Sequence, residues 1–124
     1  MITKLLPAIS WTVFVISISL IPGNEFPKLQ EEFKHIDKLA HVFLYCGLSF
    51  LWYYDLRRSG IANMMKYRTD AFLSFTLLLL GVILELLQHY LIPFRSFDLL
   101  DIASNAVGIV LGFTTFYFVI YRRI

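Results

Sequence analysis

Glu85 stands inside an apolar run, residues 71–92, that is otherwise long enough to cross a hydrocarbon layer, and that conflict constrains what the chain can fold into. About 20 largely apolar residues in one helix span a core roughly 30 Å thick, because only an intact helix satisfies its own backbone there. A carboxylate in such a helix needs a partner, water or a function. Three further stretches have suitable length. Residues 5–21 are broken mainly by Ser, Thr and one Pro, while residues 36–54 and 99–121 crowd their ionisable groups at their N-terminal ends. Composition agrees with a lipid solvent: 58% of the 124 residues are hydrophobic and 16% are charged, against about 25% charged in a soluble domain. The expectation is a single all-α membrane domain over residues 1–124, with four transmembrane helices.

The short polar stretches 22–35, 55–70 and 93–98 then connect the spans. The first run could alternatively be a cleaved signal peptide, with Lys4 as its basic end and Ser17-Ile18-Ser19 as its cleavage site. One lysine is a weak basic region, and three more spans follow. With four spans both termini lie on one side. Placing them in the cytoplasm puts Lys4, Arg57, Arg58, Lys66, Arg68, Arg122 and Arg123 inside, against Lys28, Lys34, Lys38 and Arg95 outside, the bias that bacterial membrane proteins follow. Trp11, Trp52, Tyr53, Tyr54, Tyr117 and Tyr121 are then expected near the inner boundary.

A net charge of +2 does not suggest a nucleic-acid partner, and no Gly-rich phosphate loop is present. The single cysteine, Cys46, excludes an internal disulfide and reads as a packing residue. Ser49, Ser74 and Ser104 are nucleophiles by type, but serines in membrane helices more often bond back to backbone carbonyls. His35 and His89 fall near helix ends, where an interfacial role fits.

The intramembrane polar residues fall into stripes. Asp37 and His41 share a helix face with Tyr45; Gly81, Glu85 and Gln88 form a second stripe; Asp98, Asp101, Asn105, Gly108 and Gly112 form a third, polar at one end and glycine at the other. At about 1.5 Å per residue, Glu85 and Asn105 lie roughly 10 Å, and His41 roughly 6 Å, inside their helix ends. With Arg95 in the turn, the stripes converge on one outer-leaflet pocket. The Gly108-x-x-x-Gly112 pattern allows close backbone approach, either to Gly81 or to a second copy in a homodimer.

The ordered set Asp37-Lys38-x-x-His41, Glu85-x-x-Gln88 and Arg95-x-x-Asp98-x-x-Asp101-x-x-x-Asn105-x-x-Gly108 resembles the VanZ-like family of bacterial membrane proteins. The resemblance implies a multi-pass protein of the bacterial cytoplasmic membrane and a cell-envelope role, the family taking its name from a protein that raises teicoplanin resistance. It implies no particular reaction.

Two functional readings stand. In the first, Asp37, Lys38, Gln88, Arg95, Asp98 and Asn105 bind the head group of an envelope lipid or lipid-linked wall precursor, and His41, Glu85 and Asp101 are candidates for chemistry on it, His41 and Glu85 as proton donor and acceptor. A divalent metal held by His41, Glu85, Asp98 and Asp101 is a variant that the spacing permits without a sharp signature. In the second, the protein is a non-enzymatic accessory or scaffold whose polar groups form an internal clamp, with Arg95 or Lys38 neutralising Asp101, His41 bonded to Glu85, and Asp98 capping its helix.

Overall fold

The computed structural model describes residues 2–20, 34–60, 66–91 and 97–120. Among these the protein is all-helical: α1 is Leu6–Ser19, preceded by a 3-10 turn at Ile2–Leu5; α2 is Lys34–Ser59; α3 is Lys66–Leu91; α4 is Leu99–Thr115, continued by a π-helical segment at Phe116–Ile120. Pro7 sits in the first turn of α1, where no hydrogen bond is lost. Gly60, with φ of 86°, ends α2 by donating its amide to the carbonyl of Arg57 at 3.2 Å. Asp98 caps α4, its carboxylate accepting the Leu100 amide at 2.9 Å.

Side-chain contacts give an up-down-up-down bundle. Lys38 meets the start of α4 and Tyr53 meets Phe116, so α2 and α4 run parallel. Antiparallel to α2, α1 brings Ala8 to Asp55, and α3 brings Asp70 to Arg57. The dominant packing is between α2 and α4.

Burial is inverted relative to a soluble bundle. Phe43, Phe72, Phe75, Leu99, Val110 and Phe118 are exposed, whereas His41, Ser49, Asp55, Asp70, Glu85, Gln88, Asp101 and Asn105 are buried. Water would not tolerate that apolar surface; lipid does. Three helical stretches, Ile2–Ser19, Arg68–Leu91 and Leu99–Ile120, are long and apolar enough to cross a membrane. The expected second span is not among them. Its helix has ample length, about 39 Å for 26 residues, but carries Asp37, Lys38 and His41 near one end and Asp55, Arg57 and Arg58 at the other.

The polar stretch 55–70 is less of a loop than its composition suggests, because α2 continues to Ser59 and α3 begins at Lys66. Both aspartates in it are helical and buried because tertiary partners receive them. Asp55 accepts the Ala8 amide, in the first turn of α1, at 2.9 Å and pairs with Arg58 at 3.3 Å. Asp70 accepts from Arg57 at 2.9 Å through each of its oxygens. Tyr53 is likewise buried, its hydroxyl donating to the Asp70 carbonyl and paired with Ser74. Trp11 donates to the Leu44 carbonyl and Trp52 to Thr12, each at 2.9 Å, tying α1 to α2. Tyr121, with Arg122 and Arg123, lies outside the described residues.

Gly108 and Gly112 explain how α2 and α4 pack. A methyl group at Gly108 would stand 2.5 Å from the carbonyl oxygen of Val42 and 3.0 Å from the amide of Cys46; one at Gly112 would collide with the Cys46 carbonyl and Ser49 Oγ. The neighbour of this glycine stripe is therefore the α2 backbone rather than Gly81, and a dimer through Gly108 and Gly112 would have to displace α2. Ser49 reinforces the contact by donating to the Ile109 carbonyl at 3.1 Å.

Gly108→Ala and Gly112→Ala should each destabilise the bundle by about 1–3 kcal/mol, read as a lower unfolding temperature in nanodiscs, while Val110→Ala on the exposed face stays within about 0.5 kcal/mol of wild type. Asp55→Ala should cost about 1–3 kcal/mol, because it strands the Ala8 amide; Asp55→Asn, which keeps an acceptor, should lose less in the same assay.

Candidate functional site

The parallel approach of α2 and α4 sets the first turns of the two helices side by side. Lys38 extends between Asp98 and Asp101, its Nζ 2.5 Å from Asp98 Oδ2 and hydrogen-bonded to Asp101 Oδ1. Asp98 thus serves two ends, one oxygen capping α4 and the other receiving the ammonium. One turn deeper, His41 Nδ1 lies 2.9 Å from Asn105 Oδ1. An amide oxygen only accepts, so Nδ1 carries the proton and Nε2 faces the carboxylates, 3.7 Å from Asp37 and 3.9 Å from Asp101. Asp101 is 5% exposed and Asn105 is 1% exposed, whereas Asp37 is half-buried and opens the cluster to its surroundings.

The α3 stripe joins this group in part. Gly81 leaves room for Asn105 and Tyr45: a methyl there would come within 2.9 Å of Asn105 Nδ2 and 3.3 Å of the Tyr45 ring. Glu85 is 3% exposed. Gln88 donates its Nε2 to the carbonyl of Ser19 at 2.6 Å, fastening α3 to the end of α1, while its buried Oε1 has no hydrogen-bond partner among the described residues. His41 takes Asn105 as its hydrogen-bond partner and not Glu85, so the anticipated His41–Glu85 bond is replaced by a link between α2 and α4. Arg95 lies outside the described residues.

The convergence expected from the stripes is therefore strongest for Asp37, Lys38, His41, Asp98, Asp101 and Asn105. The side-chain atoms of ligand type that come together are those of Asp37, His41 and Asp101, all within 4.8 Å of one another. The set of His41, Glu85, Asp98 and Asp101 is not the one that converges. Ser104 bonds back to the Leu100 carbonyl at 2.8 Å, as expected for a membrane serine. At the opposite end of the bundle, a cavity of about 590 Å³ is lined by Asp70, Ala71, Ser74, Phe113, Thr114 and Tyr117. None of the stripe residues borders it, and its carboxylate is already committed to Arg57.

Sequence spacing missed this second polar centre, made by Asp55, Asp70, Tyr53, Arg57 and Arg58. The only hint was the Asp55–Arg58 interval of one helical turn.

Apolar outside, polar within, and with three helices of spanning length, this is an all-helical membrane protein. It belongs to the VanZ/LLP1 family, whose model matches residues 4–121. No curated protein and no solved structure matches the chain.

Lys38→Met should destabilise the protein by about 3–5 kcal/mol, since the buried Asp101 would then lose the ammonium it shares with Asp98. Adding Asp101→Asn should recover part of that loss. A double-mutant cycle on unfolding temperatures in nanodiscs should give a coupling above about 1 kcal/mol; additive losses would mean that the pair does not interact.

Proposed function

We propose that the protein crosses the bacterial cytoplasmic membrane four times with both termini inside, and that its Lys38–Asp101 cluster binds the head group of an envelope lipid or lipid-linked wall precursor in the outer leaflet. The single observation that carries this reading is where the cluster sits: at one end of a bundle with an apolar exterior, α2 and α4 bring an ammonium, carboxylates, an imidazole and an amide together. A head group could exchange into these contacts while its tails stayed against the apolar faces of the helices. Lys38 offers a phosphate a cation, and the aspartates offer an amine an anion. The distribution of Lys and Arg supports the orientation. Burial of its polar groups against α1, α3 and α4 supports α2 as a fourth span, since ionisable side chains in membranes face the bundle interior.

A second reading, a scaffold whose cluster is an internal clamp, is favoured by how completely Lys38 and His41 are used within the chain, the first by Asp98 and Asp101, the second by Asn105. Native mass spectra of nanodisc-embedded protein separate the two. Head-group binding predicts a defined lipid or precursor adduct on wild type that Asp101→Asn loses; bare wild type and mutant alike would favour the clamp. For the orientation, in a Cys46→Ala background, a cysteine at Lys34 should react with an impermeant thiol reagent on intact cells and one at Lys66 should not. The reverse pattern would overturn the outer-leaflet placement.

A further inference from the structure

The same end of the bundle carries a donor set whose chemistry differs from that of the lysine pairs. Asp37 and His41 are one turn apart on α2, and Asp101 faces them from α4. Their ligand atoms lie within 4.8 Å of one another, and His41 Nε2 is 3.7 Å from Asp37 Oδ1 and 3.9 Å from Asp101 Oδ1. Two ligands each about 2.1 Å from a tetrahedral ion stand about 3.4 Å apart, so the two histidine–aspartate pairs would close by about half an ångström or less, and the two carboxylates, which lie within 4.8 Å, by at most about 1.4 Å. The imidazole is already turned for the task. Its Nδ1 proton is held by Asn105 Oδ1 at 2.9 Å, so Nε2 is the ring nitrogen that faces the carboxylates. Metal-bound histidines are held by such a bond at the other ring nitrogen.

We infer that Asp37, His41 and Asp101 form a binding site for a divalent transition-metal ion of the zinc class, in which Lys38 is the built-in competitor for Asp101. One imidazole nitrogen with two carboxylate oxygens suits Zn²⁺, whereas Mg²⁺ and Ca²⁺ prefer oxygen alone. An ion that takes Asp101 leaves Lys38 on Asp98, where it already sits at 2.5 Å. Three protein ligands leave a coordination position open for water or a further ligand. Asn105 is a positioning residue that acts through His41. The inference does not depend on head-group binding, because the ion alone is the ligand tested.

The test uses the full chain in phosphatidylcholine nanodiscs with His35→Ala and His89→Ala, so that His41 is the remaining imidazole of the three in the sequence. Zn²⁺ is titrated while thermal unfolding is followed, and Co²⁺ serves as a spectroscopic probe. The expected result is saturation at one Zn²⁺ per chain with a raised unfolding temperature, and a Co²⁺ absorption spectrum of low coordination number. Asp37→Asn should weaken binding at least tenfold, measured against its own metal-free form, and Asn105→Ala should weaken it about 10- to 100-fold. Lys38→Met should bind more tightly, with Zn²⁺ restoring part of its lost stability. The absence of saturable binding to wild type, a Co²⁺ spectrum identical to that of the free aqua ion, or an unchanged affinity in Asp37→Asn would overturn the inference. If Lys38→Met does not fold, Asp37→Asn alone decides the outcome.

Discussion

The contact between α2 and α4 is the one on which the other features of this bundle depend. Lipid provides no hydrophobic drive to bring helices together, so their association rests on close packing and on polar groups that have no better partner. Gly108 and Gly112 let the backbones approach until the carbonyls of Val42 and Cys46 occupy the space that β-carbons would take. That approach sets Lys38 against Asp98 and Asp101 and His41 against Asn105. A wider separation would leave each of those side chains in hydrocarbon without its partner.

The two ends of the bundle resolve the cost of buried charge differently. At one end, Asp55 and Asp70 are each met by a guanidinium, and Asp55 also receives a backbone amide, so the carboxylates fasten α1 and α3 to α2. These are structural ties. At the other end, among the described residues, Lys38 is shared between Asp98 and Asp101, and the neighbouring imidazole presents a nitrogen to Asp37 and Asp101 at distances longer than a hydrogen bond. These are the contacts into which the head-group and metal proposals place an exchangeable partner.

Membership of the VanZ/LLP1 family covers nearly the whole chain, so the α2 and α4 polar residues belong to the matched region. The family gives a membrane setting, and the geometry gives the polar cluster from which both proposals start. The binding and metal proposals meet at Asp101, which lies on α4 where the two sets of contacts overlap, and they differ in what they ask of Lys38: a ligand-binding cation in one, a competing cation in the other.

The apolar runs and the polar stripes were legible because helical periodicity is local: the spacing of Asp37 and His41, or of Asp101, Asn105 and Gly108, places them on one face whatever surrounds the helix. Length and composition likewise announced a membrane protein. What the helices touch was not legible. Gly108 and Gly112 signalled a close approach, but to which backbone depended on the parallel placement of α2 and α4; His41 pairs with Asn105 instead of Glu85 for the same reason. Asp55, Asp70 and Tyr53 looked like loop and boundary residues because their partners lie on other helices. The sequence by itself determined the helices and the faces they carry, since those follow from interactions within a few residues. Only the tertiary structure decided which faces meet, because in lipid that choice rests on backbone proximity and on buried pairs between residues far apart in the chain.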